Sequence, residues 1–359
     1  IIEGETHPPY DRPPLTKSLW KGKPLEKIWL KAVDKDVDLR LGRLVTRIRP
    51  ESKTLEDDTG EEYSFEKMLL ATGGIPRRFP FGGNGIIYYR TLDDYRHLRE
   101  LTGKGLHFGV IGGGFIGSEL AAALAMNGEK VSIVFDTMGI SDRLFPLELS
   151  QYLNEFFREK GIEVVPGFTL ANIQEKSSGY EITANGKEPI HVDALLVGIG
   201  IVPNVELAQS SGIHIGNGIT VDEYLRTNLD DIYAAGDVAE YYQPLLDKRL
   251  RVEHEDNAKS MGRQAGRNMA GGNEIYEHLS YFYSDLFELG YEAVGELDPS
   301  LETYSDWQEP FKKGVVYYLT NGRVRGVLLW NVWDKVPAAR ALIAEPGPLT
   351  AADLKGRIH

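Results

Sequence analysis

The stretch VIGGGFIG, residues 110–117, decides how this chain folds. It follows an apolar segment and opens an alanine-rich one, and Gly112, Gly114 and Gly117 stand in the G-x-G-x-x-G spacing. In this pattern the first glycine permits a tight turn, the second lets the backbone approach a pyrophosphate, and the third lets helix and strand pack closely. Free amide groups at the start of the helix then face the phosphate. The stretch therefore predicts the strand, turn and helix of a dinucleotide-binding unit.

An acidic residue is expected about 20 residues beyond such a turn, where its carboxylate binds the ribose hydroxyls. Asp136 occupies that place at the end of KVSIVFD, residues 130–136. Because its negative charge would repel the additional phosphate of NADP, the sequence favours NADH as the dinucleotide. Arg143 lies close enough in sequence to join this site, and it makes the preference less sharp.

Two further strand ends indicate a second nucleotide. Ala71, Thr72 and Gly73 end an apolar segment with residues small enough for a ligand to pass close to the backbone. The segment TNLDDIYAAGD ends at Gly236 and Asp237, which places a carboxylate at the mouth of a sheet, where ligands of α/β proteins bind. Each is a common way for a strand to end, but together with the glycine turn they point to two nucleotide sites.

Composition argues against several partners. The 359 residues carry 40 basic and 53 acidic side chains, a formal charge of −13, with no long run of lysine or arginine. Such a chain repels phosphate backbones, so neither nucleic acid nor an anionic membrane is expected as a partner. Residues 106–126 are apolar over the length of a membrane span, but consecutive glycines and Glu119 lie in their middle. A charge there is costly in lipid, which argues against membrane insertion.

Patterns along the chain predict an α/β fold with three domains. Residues 1–104 and 217–278 are expected to form one discontinuous domain, and residues 105–216 the Rossmann-like domain that contains the glycine turn. Residues 279–359 are rich in Tyr, Trp and Val, with a turn signal at TNGRVRG, and predict a β-rich C-terminal domain of α+β type. Helices are predicted at 93–102, 115–128, 147–160, 257–271 and 336–344.

Five segments together resemble the flavoprotein reductases that carry two dinucleotide domains: PYDRPPLTK, LLATGG, GVIGGGFIGSELA, VGIGIVPNVELA and TNLDDIYAAGD. Within that pyridine nucleotide-disulfide oxidoreductase superfamily, RVEHEDNAKSMGRQAGRNMAG and YFYSDLFELGYEAVGELD are similar to the apoptosis-inducing factor family. Bacterial NADH-dependent ferredoxin and rubredoxin reductases are related families. The resemblance covers nearly the whole chain, and it implies two Rossmann-like domains, FAD on the discontinuous one, NADH on the inserted one, and a C-terminal interface domain.

The resemblance also implies roles for individual residues. Lys17 would lie near the reactive flavin nitrogen and pair with Glu119, and these two are the catalytic candidates. Phe115 would lie beside the nicotinamide, and Tyr283 would occupy an aromatic position where the family often has Trp. The other residues that the resemblance brings to the nucleotides are Glu3, Arg12, Gly200, Asp237, Glu253 and His254.

Physical chemistry agrees with the first of these roles. A lysine buried near a flavin stabilises the negative charge that accumulates on the ring after hydride transfer, and a carboxylate keeps the lysine positioned. The alternative interpretation of DRPPLTK is a proline-stiffened loop with a surface lysine. The run RVEHED also suggests a metal site, but neighbours along a helix do not face one another, so no metal is expected.

The absence of cysteine narrows the chemistry. No cysteine is present to receive electrons from the flavin, so the electrons must leave directly for an external acceptor. The sequence thus predicts an FAD-dependent NADH oxidoreductase that reduces a ferredoxin- or rubredoxin-type protein, a quinone or oxygen. The alternative is a redox-sensing flavoprotein of the apoptosis-inducing factor type, whose slow reduction by NADH controls homodimerisation or partner choice. A nucleotide fold without a redox role is the third hypothesis.

The first residues, IIEGE, read as the end of a buried strand rather than its beginning. In the FAD domains of this architecture the second strand ends in an acid, so Glu3, with Glu5 as second choice, is expected on the FAD ribose. The first strand, glycine turn and helix of that domain, about 30 residues, are then expected to be missing, with a central strand position vacant. The opening residues do not have the pattern of a signal peptide, and a cytoplasmic location is the expectation.

Overall fold

The computed structural model describes residues 1–31 and 37–358, which form a mixed α/β structure. The helices are α1 (Leu92–Leu101), α2 (Phe115–Met126), α3 (Leu147–Glu159), α4 (Glu206–Ser210), α5 (Glu255–Met269), α6 (Val336–Ala344) and α7 (Ala351–Leu354). Single turns of 3-10 helix cover Pro13–Leu15, Leu25–Lys27 and Gly236–Val238.

The strands are short in the first half of the chain and longer near its end. The first thirteen are β1 (Ile2–Glu3), β2 (Arg40–Leu41), β3 (Val45–Arg49), β4 (Thr54–Asp57), β5 (Glu62–Ser64), β6 (Met68–Leu70), β7 (Gly74–Pro76), β8 (Ile87–Tyr88), β9 (His107–Ile111), β10 (Lys130–Val134), β11 (Glu163–Val165), β12 (Leu170–Lys176) and β13 (Gly179–Ala184). The others are β14 (Ile190–Val192), β15 (Ala194–Val197), β16 (Ile201–Pro203), β17 (Ile219–Thr220), β18 (Ile232–Ala234), β19 (Ala239–Gln243), β20 (Lys248–Arg251), β21 (Tyr281–Leu286), β22 (Leu289–Gly295), β23 (Glu302–Glu309), β24 (Lys313–Thr320) and β25 (Arg323–Trp330).

The five predicted helices are confirmed, as α1, α2, α3, α5 and α6. Their ends follow from local signals: Thr91 and Asp94 form a capping box at the start of α1, and Asn127 and Gly128 follow the end of α2. No element was predicted for residues 170–192. They form the antiparallel sheet β12-β13-β14, and every second residue of β13 is buried, as in a strand with one face toward the core.

The chain divides into two compact units. The first unit comprises Ile1–Arg12, Pro24–Ile75 and Val202–Ser280, and the second comprises Pro13–Lys23, Pro76–Ile201 and Tyr281–His359. The three-domain division at 104, 216 and 278 remains a prediction.

A parallel sheet forms the centre of residues 76–201 in the second unit. Its strand order is β11-β10-β9-β15-β8, with all neighbours parallel. The strands are buried on both faces, which explains their nearly continuous apolar sequences. Parallel strands end at a common edge, so the residues after β9, β10 and β15 lie along the same edge of the sheet. This edge carries the glycine turn and Asp136.

Residues 281–330, also in the second unit, form an antiparallel sheet of order β21-β22-β25-β24-β23. The predicted β-rich character of this region is confirmed. Tyr291 on β22 stacks on Trp330 on β25 at 5.6 Å between ring centroids, and Phe145 packs edge-on against both rings. This buried aromatic group holds β21 and β22 firmly in the unit.

The first unit contains four smaller sheets: β1-β2, β3-β4-β5, β6-β18 and β17-β19-β20. Strands β1 and β2 are parallel, as are β6 and β18. Met261 and Ala265 of α5 belong to the same buried cluster as Leu70 of β6 and Ala234 of β18. The carboxyl ends of β6 and β18 are therefore firmly supported.

In the part of the chain that the structure describes, no helix has both the length and the apolar character needed to cross a bilayer. Residues 106–126, the apolar stretch considered above, are divided between β9, the glycine turn and α2.

Candidate functional site

The glycine turn after β9 forms the cradle that its spacing predicts. Gly112 has a φ of +116°, and a Cβ atom on it would lie 2.3 Å from the carbonyl oxygen of Gly198. A Cβ atom on Gly117 would lie 1.8 Å from the carbonyl oxygen of Gly112. A Cβ atom on Gly114, by contrast, would meet nothing within 4 Å. Two of the glycines therefore serve packing, and the third leaves open space beside the backbone.

That open space lies at the start of α2. Gly114 is the N-cap residue, and no side chain caps the helix. The first amide groups of a helix lack partners within it and carry the positive end of its dipole. Because the second glycine is open and the amides are uncapped by side chains, these residues fit the diphosphate of a dinucleotide.

Asp136 and Arg143 form an exposed ion pair on the same edge of the sheet. Their side chains are 59% and 74% exposed, and Arg143 Nη2 donates to Asp136 Oδ2 at 2.8 Å. Asp136 follows β10 by two residues, as the ribose-binding acid should. Exposed pairs of this kind stabilise a fold little, so the carboxylate can exchange its partner for a ligand.

Glu119, on the second turn of α2, is the most enclosed carboxylate among the predicted site residues. It is 3% exposed. Its Oε2 accepts hydrogen bonds from Lys17 Nζ at 2.8 Å and from Thr16 Oγ1 at 2.5 Å, and its Oε1 accepts one from Ser284 Oγ at 2.5 Å. The predicted pairing with Lys17 is present in the structure. Three donors from distant parts of the sequence hold this carboxylate in one orientation.

Lys17 is fixed by the loop that carries it as well as by its partner. The carbonyl oxygen of Leu15 accepts hydrogen bonds from Trp20 Nε1 at 2.7 Å and from the Tyr89 hydroxyl at 2.5 Å. The Lys17 side chain is 10% exposed, and its Nζ lies 5.2 Å from the ring centroid of Tyr283. The alternative of a surface lysine in this loop is therefore wrong. Because part of the Lys17 side chain is still exposed, its ammonium can contact a bound ligand.

Aromatic side chains lie beside this cluster. Phe115, the first residue of α2, packs edge-on against Phe282 with 5.1 Å between ring centroids. Tyr283 is partly buried and close to Lys17, where the resemblance implied an aromatic ring. Their roles toward nicotinamide and flavin remain predictions.

In the first unit, the two strand ends that were predicted to hold a second nucleotide lie side by side. Leu70 on β6 is in register with Ala234 on β18, so the residues that follow both strands share one edge. Ala71, Thr72 and Gly73 follow β6, and Thr72 Oγ1 donates to the carbonyl oxygen of Asn204 at 2.8 Å. Gly236 and Asp237 follow β18. Gly236 has a φ of +78°. Small residues and one carboxylate at adjacent strand ends fit a nucleotide's sugar and linker.

Glu3 and Arg12 lie in the first unit with different partners. Glu3 accepts a hydrogen bond from the backbone N–H of Glu5 at 3.2 Å. Glu5 accepts hydrogen bonds from Arg12 Nη2 at 2.5 Å and from the Tyr10 hydroxyl at 2.6 Å. Burial opposes the charge of Arg12, but Tyr10 and Glu5 outweigh it and raise the pKa of the guanidinium. Glu5 thus acts as the partner of Arg12, a contact that the sequence did not predict.

Glu253 and His254 precede α5. Glu253 is in an ion pair with Arg251 at 2.7 Å, and Arg251 also donates to the carbonyl oxygen of Asp237 at 3.0 Å. His254 is the N-cap residue of α5. Arg251 joins two predicted site residues, and sequence reasoning missed it because it ends β20, whereas Asp237 lies 14 positions earlier in a turn of 3-10 helix. Its position two residues before Glu253 was the available signal.

Gly200, the last of the predicted cofactor residues, lies in the second unit after β15. It is exposed, has a φ of +93°, and its carbonyl oxygen accepts a hydrogen bond from the backbone N–H of Arg77 at 2.9 Å. The positive φ explains why glycine stands there. Its contact with a nucleotide remains a prediction.

Within residues 1–31 and 37–358, no three or more His, Asp or Glu side chains gather as metal ligands would. In RVEHED, Glu253 pairs with Arg251, and Asp256 pairs with His278 Nε2 at 2.6 Å.

Comparison with known proteins identifies the relatives of this arrangement. The family model described as pyridine nucleotide-disulphide oxidoreductase matches residues 1–262. The model described as the C-terminal part of mitochondrion-associated apoptosis-inducing factor matches residues 265–310 and 305–345. The resemblance stated from the sequence is confirmed.

Among individual relatives, apoptosis-inducing factor 1, mitochondrial, of Dictyostelium discoideum is 34% identical and the match covers 96% of this chain and 73% of that protein. The ferredoxin–NAD(+) reductase component of the anthranilate 1,2-dioxygenase system of Burkholderia cepacia is 32% identical over 98% of this chain and 90% of that protein. Putidaredoxin reductase, solved in covalent complex with putidaredoxin, superposes with a TM-score of 0.87 at 25% identity, over 96% and 89% of the two chains. These relatives confirm the fold class of two Rossmann-like domains followed by a C-terminal domain.

Proposed function

The chain belongs to the pyridine nucleotide-disulphide oxidoreductase family, and from this premise we propose that it transfers electrons from NADH through FAD to an external acceptor protein. The observation that carries the proposal is the buried Lys17–Glu119 pair. Glu119 lies on the helix that begins at the glycine turn, so one element links the dinucleotide cradle to the lysine. Structural packing alone gives no reason to bury a lysine–glutamate pair, which contributes little net stability.

FAD, when bound, supplies the acceptor for the two electrons and proton of the hydride and can pass the electrons on singly. The chain's own residues would bind the two nucleotides and orient their reactive rings. The ammonium of Lys17 would stabilise negative charge that develops nearby, and Glu119 would hold that ammonium in place. Phe115 would cover the nicotinamide, and Asp136 would bind the ribose hydroxyls of NADH.

The further residue assignments are part of the proposal. For the NADH site they rest on the open backbone at Gly114 and the exposed carboxylate of Asp136. For FAD they rest, in the first unit, on the paired strand ends of β6 and β18 and on the polar groups of the amino-terminal segment. The residues assigned are Glu3, Arg12, Lys17, Ala71, Thr72, Gly73, Gly112, Gly117, Arg143, Gly200, Gly236, Asp237, Glu253, His254 and Tyr283.

We propose NADH over NADPH because Asp136 carries the negative charge that an additional ribose phosphate would meet. The 359 residues contain no cysteine, so within them no dithiol can relay the electrons. The names of the relatives include a ferredoxin–NAD(+) reductase component and a putidaredoxin reductase in complex with putidaredoxin. A small redox protein is therefore the acceptor class that we propose for this chain.

An anaerobic titration tests this function. The FAD-reconstituted protein is titrated with NADH while the visible absorbance of the flavin is followed, and a ferredoxin-type protein or air is then admitted. We expect bleaching of the flavin by one equivalent of NADH and a weaker response to NADPH. The colour should return when two equivalents of a one-electron acceptor have been added, because each acceptor takes one of the two electrons. Absence of bleaching by NADH, or binding of no flavin, would overturn the proposal.

A redox-sensing role is the second candidate, and the match of residues 265–345 to the apoptosis-inducing factor C-terminal model favours it. The same titration separates the two. A sensor would give a reduced complex that persists in air and with acceptor, and sedimentation would show it to be dimeric. Rapid, repeated reoxidation without a change in mass would support the enzyme.

A further inference from the structure

The strand that carries the aromatic position Tyr283 also contributes to the Glu119 cluster. Ser284 lies on β21, is 1% exposed, and donates from Oγ to Glu119 Oε1 at 2.5 Å. We propose that Ser284 is a positioning residue, whose hydroxyl fixes the Glu119 carboxylate in the orientation that holds Lys17. This role depends on the function proposed above, because it concerns the same lysine.

The donors divide between the two oxygens of the carboxylate. Lys17 and Thr16 both donate to Oε2, whereas Ser284 donates to Oε1. A carboxylate has about four lone-pair sites, shared between its two oxygens. When all donors bind one oxygen, the group can still rotate about its terminal C–C bond. The third donor, on the other oxygen, removes that freedom. Ser284 therefore fixes the rotation of the carboxylate plane, and with it the position of the oxygen that faces Lys17.

The single proton of Ser284 is directed at Glu119. A carboxylate only accepts, and the Ser284 hydroxyl donates to Glu119 Oε1 at 2.5 Å. Ser284 is in register with Tyr291 across the β21–β22 pair, and both residues are buried. Burial, reinforced by the charge of Glu119, raises the pKa of Tyr291 well above its ordinary value, so the phenol stays neutral.

The surroundings of Ser284 are rigid. Tyr291 stacks on Trp330, with Phe145 edge-on against both rings, and all three side chains are buried. On the other side, Phe282 packs edge-on against Phe115 at the start of α2. The hydroxyl of Ser284 is thus held by neighbours that cannot shift without disrupting the core. A rigid donor of this kind is what positioning within a few tenths of an ångström requires.

Hydroxyl deletion in a matched series tests the role. Ser284→Val and Ser284→Thr have the same shape and differ in the hydroxyl, and Ser284→Ala is the smaller deletion. The control is Ser150→Ala on α3, because Ser150 is fully buried and its hydroxyl has no hydrogen-bond partner. The rate of flavin reduction at saturating NADH and the apparent Kd for NADH are measured by stopped flow, in wild-type and Glu119→Gln backgrounds.

We expect Ser284→Ala and Ser284→Val to slow reduction about tenfold with the Kd for NADH unchanged within about twofold, as loss of positioning predicts. Ser284→Thr should keep more than about half of the rate, and Ser150→Ala should match wild type. In the Glu119→Gln background, the Ser284 substitutions should slow reduction by less than about twofold, because the carboxylate charge that holds Lys17 is gone. Equal slowing in both backgrounds, or equal rates for the Val and Thr variants, would overturn the proposal.

A readout without flavin separates this proposal from the proposed function. The melting temperatures of the same variants, measured on the protein free of FAD, form a double-mutant cycle between Ser284 and Glu119. Non-additive shifts support the contact even if wild-type flavin is not reduced by NADH, in which case the proposed function fails. Additive shifts show that Ser284 does not act on Glu119, and they overturn the positioning role whatever the activity.

Discussion

Two acid–base pairs in the second unit have the same chemistry in opposite surroundings. Asp136–Arg143 and Lys17–Glu119 are both joined at 2.8 Å. The first pair is more than half exposed, whereas in the second the lysine side chain is 10% and the glutamate side chain 2% exposed. Water competes for the exposed pair, so it stabilises the fold by about 1 kcal/mol at most and can open. The buried pair cannot open without leaving a charge uncompensated. The two pairs have the same separation, but only the exposed pair can open to bind a ligand, whereas the buried pair is fixed.

The contrast between the two pairs fails if Lys17 and Glu119 are not energetically coupled. Lys17→Met leaves the Glu119 charge without its cation, and we expect the free energy of unfolding to fall by about 3–5 kcal/mol. Flavin reduction by NADH should slow at least about 100-fold, since one electrostatic stabiliser is lost. Urea unfolding and stopped-flow reduction measure the two effects.

The double variant Lys17→Met with Glu119→Gln is the matched control. It removes both charges, so most of the stability should return while reduction stays slow. A double variant no more stable than Lys17→Met would show that the pair does not act as a unit.

The two ends of the glycine turn sharpen the contrast between packing and binding. A methyl group on Gly117 collides with the carbonyl oxygen of Gly112, so Gly117→Ala should destabilise the fold by about 2 kcal/mol or more. Gly114→Ala meets open space, and unfolding should change by at most about 1 kcal/mol, while NADH affinity falls about tenfold. Urea unfolding and NADH titration check both. Unchanged NADH affinity in Gly114→Ala would place the diphosphate elsewhere.

The exposed pair should behave as a ligand contact and not as a structural one. Asp136→Asn is expected to weaken NADH binding about fivefold and to reduce discrimination against NADPH, because the ribose loses its carboxylate acceptor. The free energy of unfolding should stay within about 0.5 kcal/mol of wild type. Arg143→Gln breaks the same ion pair but keeps the carboxylate, so it should leave NADH binding nearly unchanged. If both variants weakened NADH equally, the pair itself would be the binding group.

The smallest expected effect concerns the opposite end of the same sheet. His107 begins β9, its Nε2 is 2.7 Å from Ser132 Oγ, and Ser132 donates to Glu163. Burial, with a smaller contribution from Lys130, lowers the pKa of His107. The unfolded chain then binds more protons than the folded one below about pH 6.5, so stability falls as the pH drops through that value.

His107→Gln should remove this part of the pH dependence, an effect below about 1 kcal/mol because the histidine is partly exposed. Unfolding by urea between pH 5 and pH 8 measures it. Identical pH profiles for the two proteins would contradict the assignment, and changed NADH binding would contradict the separation of the two sheet ends.

Local patterns predicted much of this molecule correctly. The G-x-G-x-x-G spacing, the apolar strands and the capped helices are short-range features, because they depend on steric demands within a few residues. The β12-β13-β14 sheet had no prediction, and Thr16, Ser284 and Arg251 were missed as site residues. Serine, threonine and arginine are common on any surface. Only their tertiary neighbours distinguish these three.

By itself, the sequence determined the dinucleotide cradle and the candidate Asp136, because glycine spacing and strand-end acids are local requirements. Lys17 and Glu119 became candidates through the resemblance of their segments to a flavoprotein family. The tertiary structure decided which acid is exposed and which is enclosed. The donors to Glu119 stand 103, 102 and 165 positions away along the chain, and no short-range pattern brings them together. Packing of the antiparallel sheet and of the loop that carries Thr16 and Lys17 against α2 does so. Desolvation then makes one ion pair rigid while the other stays open to a ligand.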